Sequence, residues 1–119
     1  RIMLSIKAVF AAADAIPALI FDEIDAGVGG AVANRVAEKL RELARSHQVI
    51  CITHLAQIAA AAGAHYHVAK ETSKKRTATT LALVEGDARV DEVARLLDGS
   101  ASELSREHAR ELLELSSRA

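Results

Sequence analysis

The sequence predicts an α/β fold: parallel strands with flanking helices, then an antiparallel strand and two C-terminal helices. Three observations carry that reading. Two short, unbroken apolar runs, Ala18-Leu19-Ile20-Phe21 and Val49-Ile50-Cys51-Ile52, are separated by an amphipathic stretch of helical period. Two later strand-like runs are joined by a charged turn. The end of the chain then shows helical spacing of Val and Leu twice, with Gly99 between the two stretches.

The elements follow in order. Residues 2 to 13 are apolar nearly all round, with Ile2, Ile6, Val9, Phe10 and Ala13 on one stripe, which predicts a helix buried on most sides. Pro17 stops helical continuation, and the apolar run behind it ends at Asp22. A continuous apolar strand of this kind is expected to be covered on both faces of a parallel sheet. Gly27, Gly29 and Gly30 make a permissive loop. The helix beyond it sets Val32, Val36, Leu40 and Leu43 on one face and Arg35, Glu38, Lys39 and Glu42 on the other. Ser46-His47 closes that helix, and the run 49–52 is the second strand. Strand, helix and strand make a βαβ unit, whose crossover should be right-handed.

A short Ala-rich helix from Leu55 to Ala62 ends at Gly63. His65–Ala69 and Thr77–Val84 read as the third and fourth strands, antiparallel across the polar turn Lys70–Arg76. One closing helix holds Val90, Val93, Leu96 and Leu97 and stops at Gly99. The last opens with Ser100-Ala101-Ser102-Glu103, read as a capping box, and carries Leu104, His108, Leu112 and Leu115 on one side. There is no internal repeat and no low-complexity linker.

With 119 residues, half of them apolar, the chain can bury a core of its own. Two Phe, one Tyr and no Trp leave that core to Ala, Val, Leu and Ile. A formal net charge of −1 gives no overall basic character, so any nucleic-acid contact must be local or made elsewhere. The single cysteine, Cys51, excludes an internal disulfide framework and reads as a small core residue in a reducing compartment. Lys7, Asp14 and Asp22 interrupt the longest apolar stretches, so no membrane span is expected. Arg1 opens directly into a helical pattern with no initiating Met and no signal peptide, and the expectation is a piece of a longer polypeptide.

Two features converge on chemistry. Asp22-Glu23 stands at the end of the first strand and Thr53-His54 at the end of the second. In a βαβ unit those ends lie side by side, on the edge where open α/β sheets bind ligands. An apolar strand ending in Asp suits a carboxylate that helps hold Mg²⁺ through water. A following Glu can orient or deprotonate an attacking water, and a neighbouring His can donate a hydrogen bond to a γ-phosphate. Each piece alone also fits a helix cap, a solvated loop acid or a structural histidine. The combination at βαβ spacing favours a site.

The residues Leu19-Ile20-Phe21-Asp22-Glu23-Ile24-Asp25-Ala26-Gly27-Val28-Gly29-Gly30 resemble the Walker B segment and D-loop of the bacterial RecN family. That family is SMC-like, with an ABC-type ATPase head. Ile50-Cys51-Ile52-Thr53-His54-Leu55-Ala56-Gln57-Ile58-Ala59-Ala60 resembles its H-loop, or switch, segment. His65-Tyr66, Arg89-Val90 and His108-Ala109-Arg110-Glu111-Leu112-Leu113 resemble the family's tail, so the likeness runs from Arg1 to about Leu115. It implies that residues 1–119 are the C-terminal segment of a P-loop ATPase head, starting just after the ABC signature loop. Under the resemblance Asp22 is the Mg²⁺ aspartate, Glu23 the catalytic glutamate and His54 the switch histidine contacting nucleotide. Asp25, Gly27 and Gly29 fall in the D-loop, which in relatives crosses a dimer interface and lies at the nucleotide.

The same resemblance implies ATP and Mg²⁺ as cofactors. The partners it implies are the N-terminal half of the head with its Walker A loop, a second head in a homodimer, and DNA. It further implies a cytoplasmic, nucleoid-associated protein that repairs DNA double-strand breaks. Ile24 replaces the Pro, and Gly29 the Asp, that ABC transporters usually carry, which argues against a transporter head. Ala56 stands where many relatives have Pro. No G-x-x-x-x-G-K-[ST] occurs, so these residues lack the loop that cradles phosphates. A competing reading, a docking or dimerisation module that never turns over ATP, would leave the acid–His rim without a purpose.

Weaker signals read as structural. Lys70, Lys74, Lys75 and Arg76 could meet DNA phosphates, but a solvated, charged hairpin turn is favoured. His65 and His67 lack the companions of a zinc site and read as strand surface. His108 reads as half-buried on the apolar side of the last helix, and Arg89 and Arg95 as surface ion-pair formers.

Overall fold

The computed structural model describes residues 16–73 and 76–118. The helix expected over residues 2 to 13 and the pair Lys74-Lys75 lie outside them. The chain divides into two units, one ending at Ala61 and the other beginning at Ala62.

The first unit is the predicted βαβ arrangement. Strand β1 (Ala18–Asp22) pairs in parallel with β2 (Gln48–Ile52), connected through helix α1 (Ala31–Leu43), and the short α2 (Ala56–Ala61) follows. Leu19 stands opposite Val49 and Phe21 opposite Cys51, while Ile20 stands opposite Ile50. The odd-numbered set faces the helices. Leu19, Phe21, Val36, Ala37, Leu40 and Ile58 form one buried cluster, with Val32, Leu43, Val49 and Cys51 packed around it. Burial on α1 recurs at Ala33, Val36, Ala37 and Leu40, the spacing of one helical face. Arg41 ties that helix to the end of α2, donating to the Ala61 carbonyl at 3.4 Å.

The other face of the sheet is a correction to the sequence reading. Ile20 is 62% exposed and Ile52 59%, with Ile50 also open. Among the described residues of this unit the helices cover one side only, so the apolar run marks a strand built for two covers and given one here.

The second unit begins with an antiparallel hairpin, β3 (Tyr66–Ser73) and β4 (Arg76–Leu83). Pairing runs from Tyr66 opposite Leu83 to Ser73 opposite Arg76. The polar stretch expected as turn from Lys70 onward is therefore largely strand, because the ladder satisfies its backbone groups as far as Ser73. Tyr66, Val68, Leu81 and Leu83 share one exposed face of the hairpin.

Helix α3 (Gly86–Asp98) buries Val90, Val93 and Ala94 and ends on Gly99 at φ 77°, as the Gly predicted. Helix α4 (Glu103–Arg118) packs against it through Ser105 and Ala109. This corrects the predicted face: Leu104 is 76% exposed, and Leu115 and His108 are exposed too. Small residues win the contact because they let two helices approach closely. The cap also differs from expectation. Ser102 Oγ accepts the Ser105 N–H at 3.2 Å, which makes Ser102 the N-cap and puts Glu103 one residue after it. Asp91 accepts two hydrogen bonds from Arg106, at 2.6 and 3.3 Å, joining α3 to α4.

Candidate functional site

The site grows out of the strand register. Asp22 pairs opposite Ile52, so Glu23 and Thr53 are the first residues to leave the two strands, at the same level. Asp22 and Glu23 are exposed, and the His54 side chain is 73% exposed. Sequence reasoning expected these three on one rim, and they stand at the adjoining C-terminal ends of β1 and β2.

Glu23 has φ 53°, the one described non-glycine residue in the left-handed region. That conformation costs an L-residue about 1–2 kcal/mol. It is held by the turn that follows, where the Ala26 N–H reaches the Glu23 carbonyl at 3.3 Å and the Val28 N–H the Asp25 carbonyl at 2.9 Å. Strain of this kind concentrates at functional positions, where the surroundings over-determine the backbone. Here it turns the chain sharply at the residue expected to meet water. Gly30, at φ 52° and ψ −129°, leads into α1 in a conformation only glycine adopts readily. Gly27 and Gly29 are both exposed along the same loop.

Asp25 departs from the expectation of a ligand-facing loop residue. It is 4% exposed and points at its own chain. Its Oδ2 accepts the Thr53 hydroxyl at 2.5 Å and the His54 backbone N–H at 2.9 Å, and lies 3.1 Å from His54 Nδ1. The Thr53 Oγ1 in turn accepts the Leu55 N–H at 3.0 Å, so the network reaches the start of α2. Burial by itself would raise the Asp25 carboxyl. The hydrogen bonds from Thr53 and His54 outweigh it and hold the group below the usual carboxylate range. The carboxylate is therefore ionised, and the Thr53 hydroxyl and the His54 amide donate to it.

The Cys51 thiol is pushed up to about 11, first by burial and then by the Asp25 and Asp22 charges. It is a packing residue, as read from the sequence.

Among the described residues no three His, Cys, Asp or Glu side chains gather as a metal cage. Mg²⁺ fits this arrangement only as an ion that keeps water and phosphate ligands and takes one protein carboxylate, for which exposed Asp22 is suited.

The remaining sequence candidates lie in the second unit and do not form a site. His65 precedes β3 rather than belonging to it. Its half-buried ring has an Nδ1 with no hydrogen-bond partner, and burial holds its pKa below the ordinary histidine value. His67 is half-buried, with Nε2 3.9 Å from Glu92. Both are thus less exposed than the strand surface predicted. Arg95 pairs with Glu92 as expected, at 2.6 Å, while Arg89 donates to the Ala62 carbonyl at 2.6 Å. Arg76 opens β4. No helix of the described residues is long and apolar enough to cross a membrane.

No family model matches the chain. Individual proteins do. The chain is 50% identical over 113 residues to the DNA repair protein RecN of Deinococcus radiodurans, which covers 95% of this chain and 20% of that protein. It is 51% identical over 119 residues to the RecN of Treponema pallidum, covering 99% of this chain and 21% of the relative. The Bacillus subtilis RecN is 41% identical over 114 residues, 95% of this chain and 20% of the relative. The chain spans about one fifth of the length of the curated relatives it matches.

Proposed function

We propose that this RecN-family segment is the C-terminal part of an ABC/SMC-type P-loop ATPase head, working in DNA repair, and that it supplies one side of the ATP site. The observation that carries the reading is the register Asp22–Ile52, which sets Asp22-Glu23 beside Thr53-His54 at one strand edge. Ligands of open parallel sheets bind at that edge.

In the complete head Asp22 would help hold Mg²⁺, which neutralises phosphate charge when bound. Glu23, turned out of the strand by its left-handed backbone, orients the attacking water and accepts its proton. His54 donates to the γ-phosphate and steadies the charge that develops there. The N-terminal half of the head supplies the Walker A loop. The open face with Ile20, Ile50 and Ile52 supports a further layer of the same polypeptide against this sheet. ATP held between two heads would close a homodimer through the D-loop, and hydrolysis would open it; DNA is the cargo of that cycle.

The test is Mg²⁺-dependent ATP binding by the complete polypeptide. Asp22→Ala should weaken it and reduce ATP-driven dimerisation together. The 119 residues alone should hydrolyse no ATP, because they have no phosphate-binding loop. Robust turnover by the segment alone, or unchanged Mg²⁺-ATP binding by Asp22→Ala, contradicts the proposal.

A further inference from the structure

The carboxylate of Asp25 does something that neither a solvated loop acid nor a dimer-crossing residue would do. It is buried, and one of its oxygens gathers the Thr53 hydroxyl, the His54 amide and the His54 ring. The loop after β1 is thereby bonded to the chain after β2 at the residue pair that carries the exposed imidazole. An ionised carboxylate only accepts hydrogen bonds. The ring nitrogen facing it, Nδ1, lies 3.1 Å away, where a bound proton makes the contact favourable and a bare lone pair makes it repulsive. The opposite nitrogen, Nε2, is then the one left for a ligand on the exposed side of the ring.

We propose that Asp25 is a positioning residue for His54: it fixes the ring's orientation and its Nδ1–H tautomer, and so couples the conformation of the loop 23–30 to the readiness of the histidine. This rests on the reading of His54 as a group that meets the γ-phosphate, and it adds a consequence. With Nδ1–H committed to Asp25, Nε2 can donate to a phosphate oxygen only when the ring carries both protons. Moving the loop, by nucleotide or by a second head, would break the Asp25 contacts and release the ring. A loop that closes a dimer and a histidine that senses phosphate would thus be linked within one chain.

The first measurement needs no variant and no activity. In the complete polypeptide with ¹⁵N-labelled histidine, the His54 ring is observed without nucleotide at alkaline pH, where the neutral ring is followed. Assignment comes from the signal lost in His54→Ala. Free imidazole rings of histidine favour the Nε2–H tautomer, so the expected Nδ1–H signature is distinctive. Finding the ordinary tautomer overturns the proposal.

The second measurement is a double-mutant cycle on single-turnover ATP hydrolysis. Asp25→Asn keeps an acceptor for Thr53 and the His54 amide but removes the charge. It should slow hydrolysis about 10- to 100-fold, the range seen when a metal-bound histidine loses its orienting carboxylate. The same substitution in a His54→Ala background should slow it no further, since its effect passes through the ring. Equal slowing in both backgrounds makes Asp25 a general support of the fold and overturns the positioning role. If His54→Ala by itself leaves hydrolysis unchanged, the γ-phosphate reading of His54 fails, and the tautomer alone decides whether Asp25 sets the ring.

Discussion

The two units solve the same problem, holding charged side chains in a small fold, in opposite ways. In the first, one carboxylate is buried and fully engaged: Asp25, with Thr53 and His54 around it. In the second, the carboxylates are held by ion pairs whose arginine is open to solvent, Arg95 on Glu92 within α3 and Arg106 on Asp91 between α3 and α4. An exposed pair such as Arg106–Asp91 contributes little and is screened by salt. A buried carboxylate without its donors would be costly, so it dictates where its neighbours stand. The difference separates a unit whose loop is organised around a buried carboxylate from one organised around its packing.

The largest effect that sharpens this contrast is in the cores. Phe21 is 1% exposed and anchors the first unit, so Phe21→Ala should cost about 3–5 kcal/mol. Val93, fully buried in the second unit, is smaller, and Val93→Ala should cost about 2 kcal/mol. Amide exchange resolved by segment should show each substitution raising exchange mainly in its own unit. Equal loss of protection in both units would mean that they unfold as one.

Acidification should separate the units next. His65 has its folded pKa held down by burial, so the unfolded chain takes up its proton first. The stability it protects is complete above about pH 6.5 and falls as pH drops below that value. Asp25 also has a depressed folded pKa, and its contribution is complete above about pH 4 and lost as pH falls through the folded value. Amide protection between about pH 6 and pH 4.5 should therefore decline in the second unit before the first. Replacing His65 with Gln should flatten that decline, and loss in the opposite order would contradict the burial argument.

The smallest effects concern surface charge. Lys39→Ala removes an exposed pair with Glu42 and should leave the unfolding midpoint unchanged. Reversing Lys74, Lys75 and Arg76 should leave ATP turnover by the complete polypeptide intact, because the proposed chemistry uses Asp22, Glu23 and His54 and none of these cations. A salt-sensitive loss of DNA affinity in that variant would turn the charged turn into a contact surface.

What the sequence made legible follows from how local each signal is. The runs 18–21 and 49–52, the helix between them and the stop at Gly99 depend on nearest neighbours, and each is in place. Asp22, Glu23 and His54 could be placed because strand ends in a βαβ unit are forced together. The inward turn of Asp25 could not be, since spacing along the chain does not say where a loop folds back. The face of α4 misled for a related reason. Leu104, His108 and Leu115 form the more apolar stripe, yet Ser105 and Ala109 make the closer contact. The open face of β1 and β2 was not legible because a continuous apolar run reads the same whether one face of its sheet is covered or two.

The central claim, that the strand-end pair Asp22-Glu23 hydrolyses ATP, is tested most directly by Glu23→Gln in the complete polypeptide. Gln keeps the shape and can still hydrogen-bond the water, but it can neither take the proton nor supply the charge that orients it. Single-turnover hydrolysis should fall about 10²–10⁴-fold. ATP binding should persist through Asp22, and the ATP-bound dimer should accumulate in sedimentation with Mg²⁺. Near-normal hydrolysis by Glu23→Gln would contradict the account.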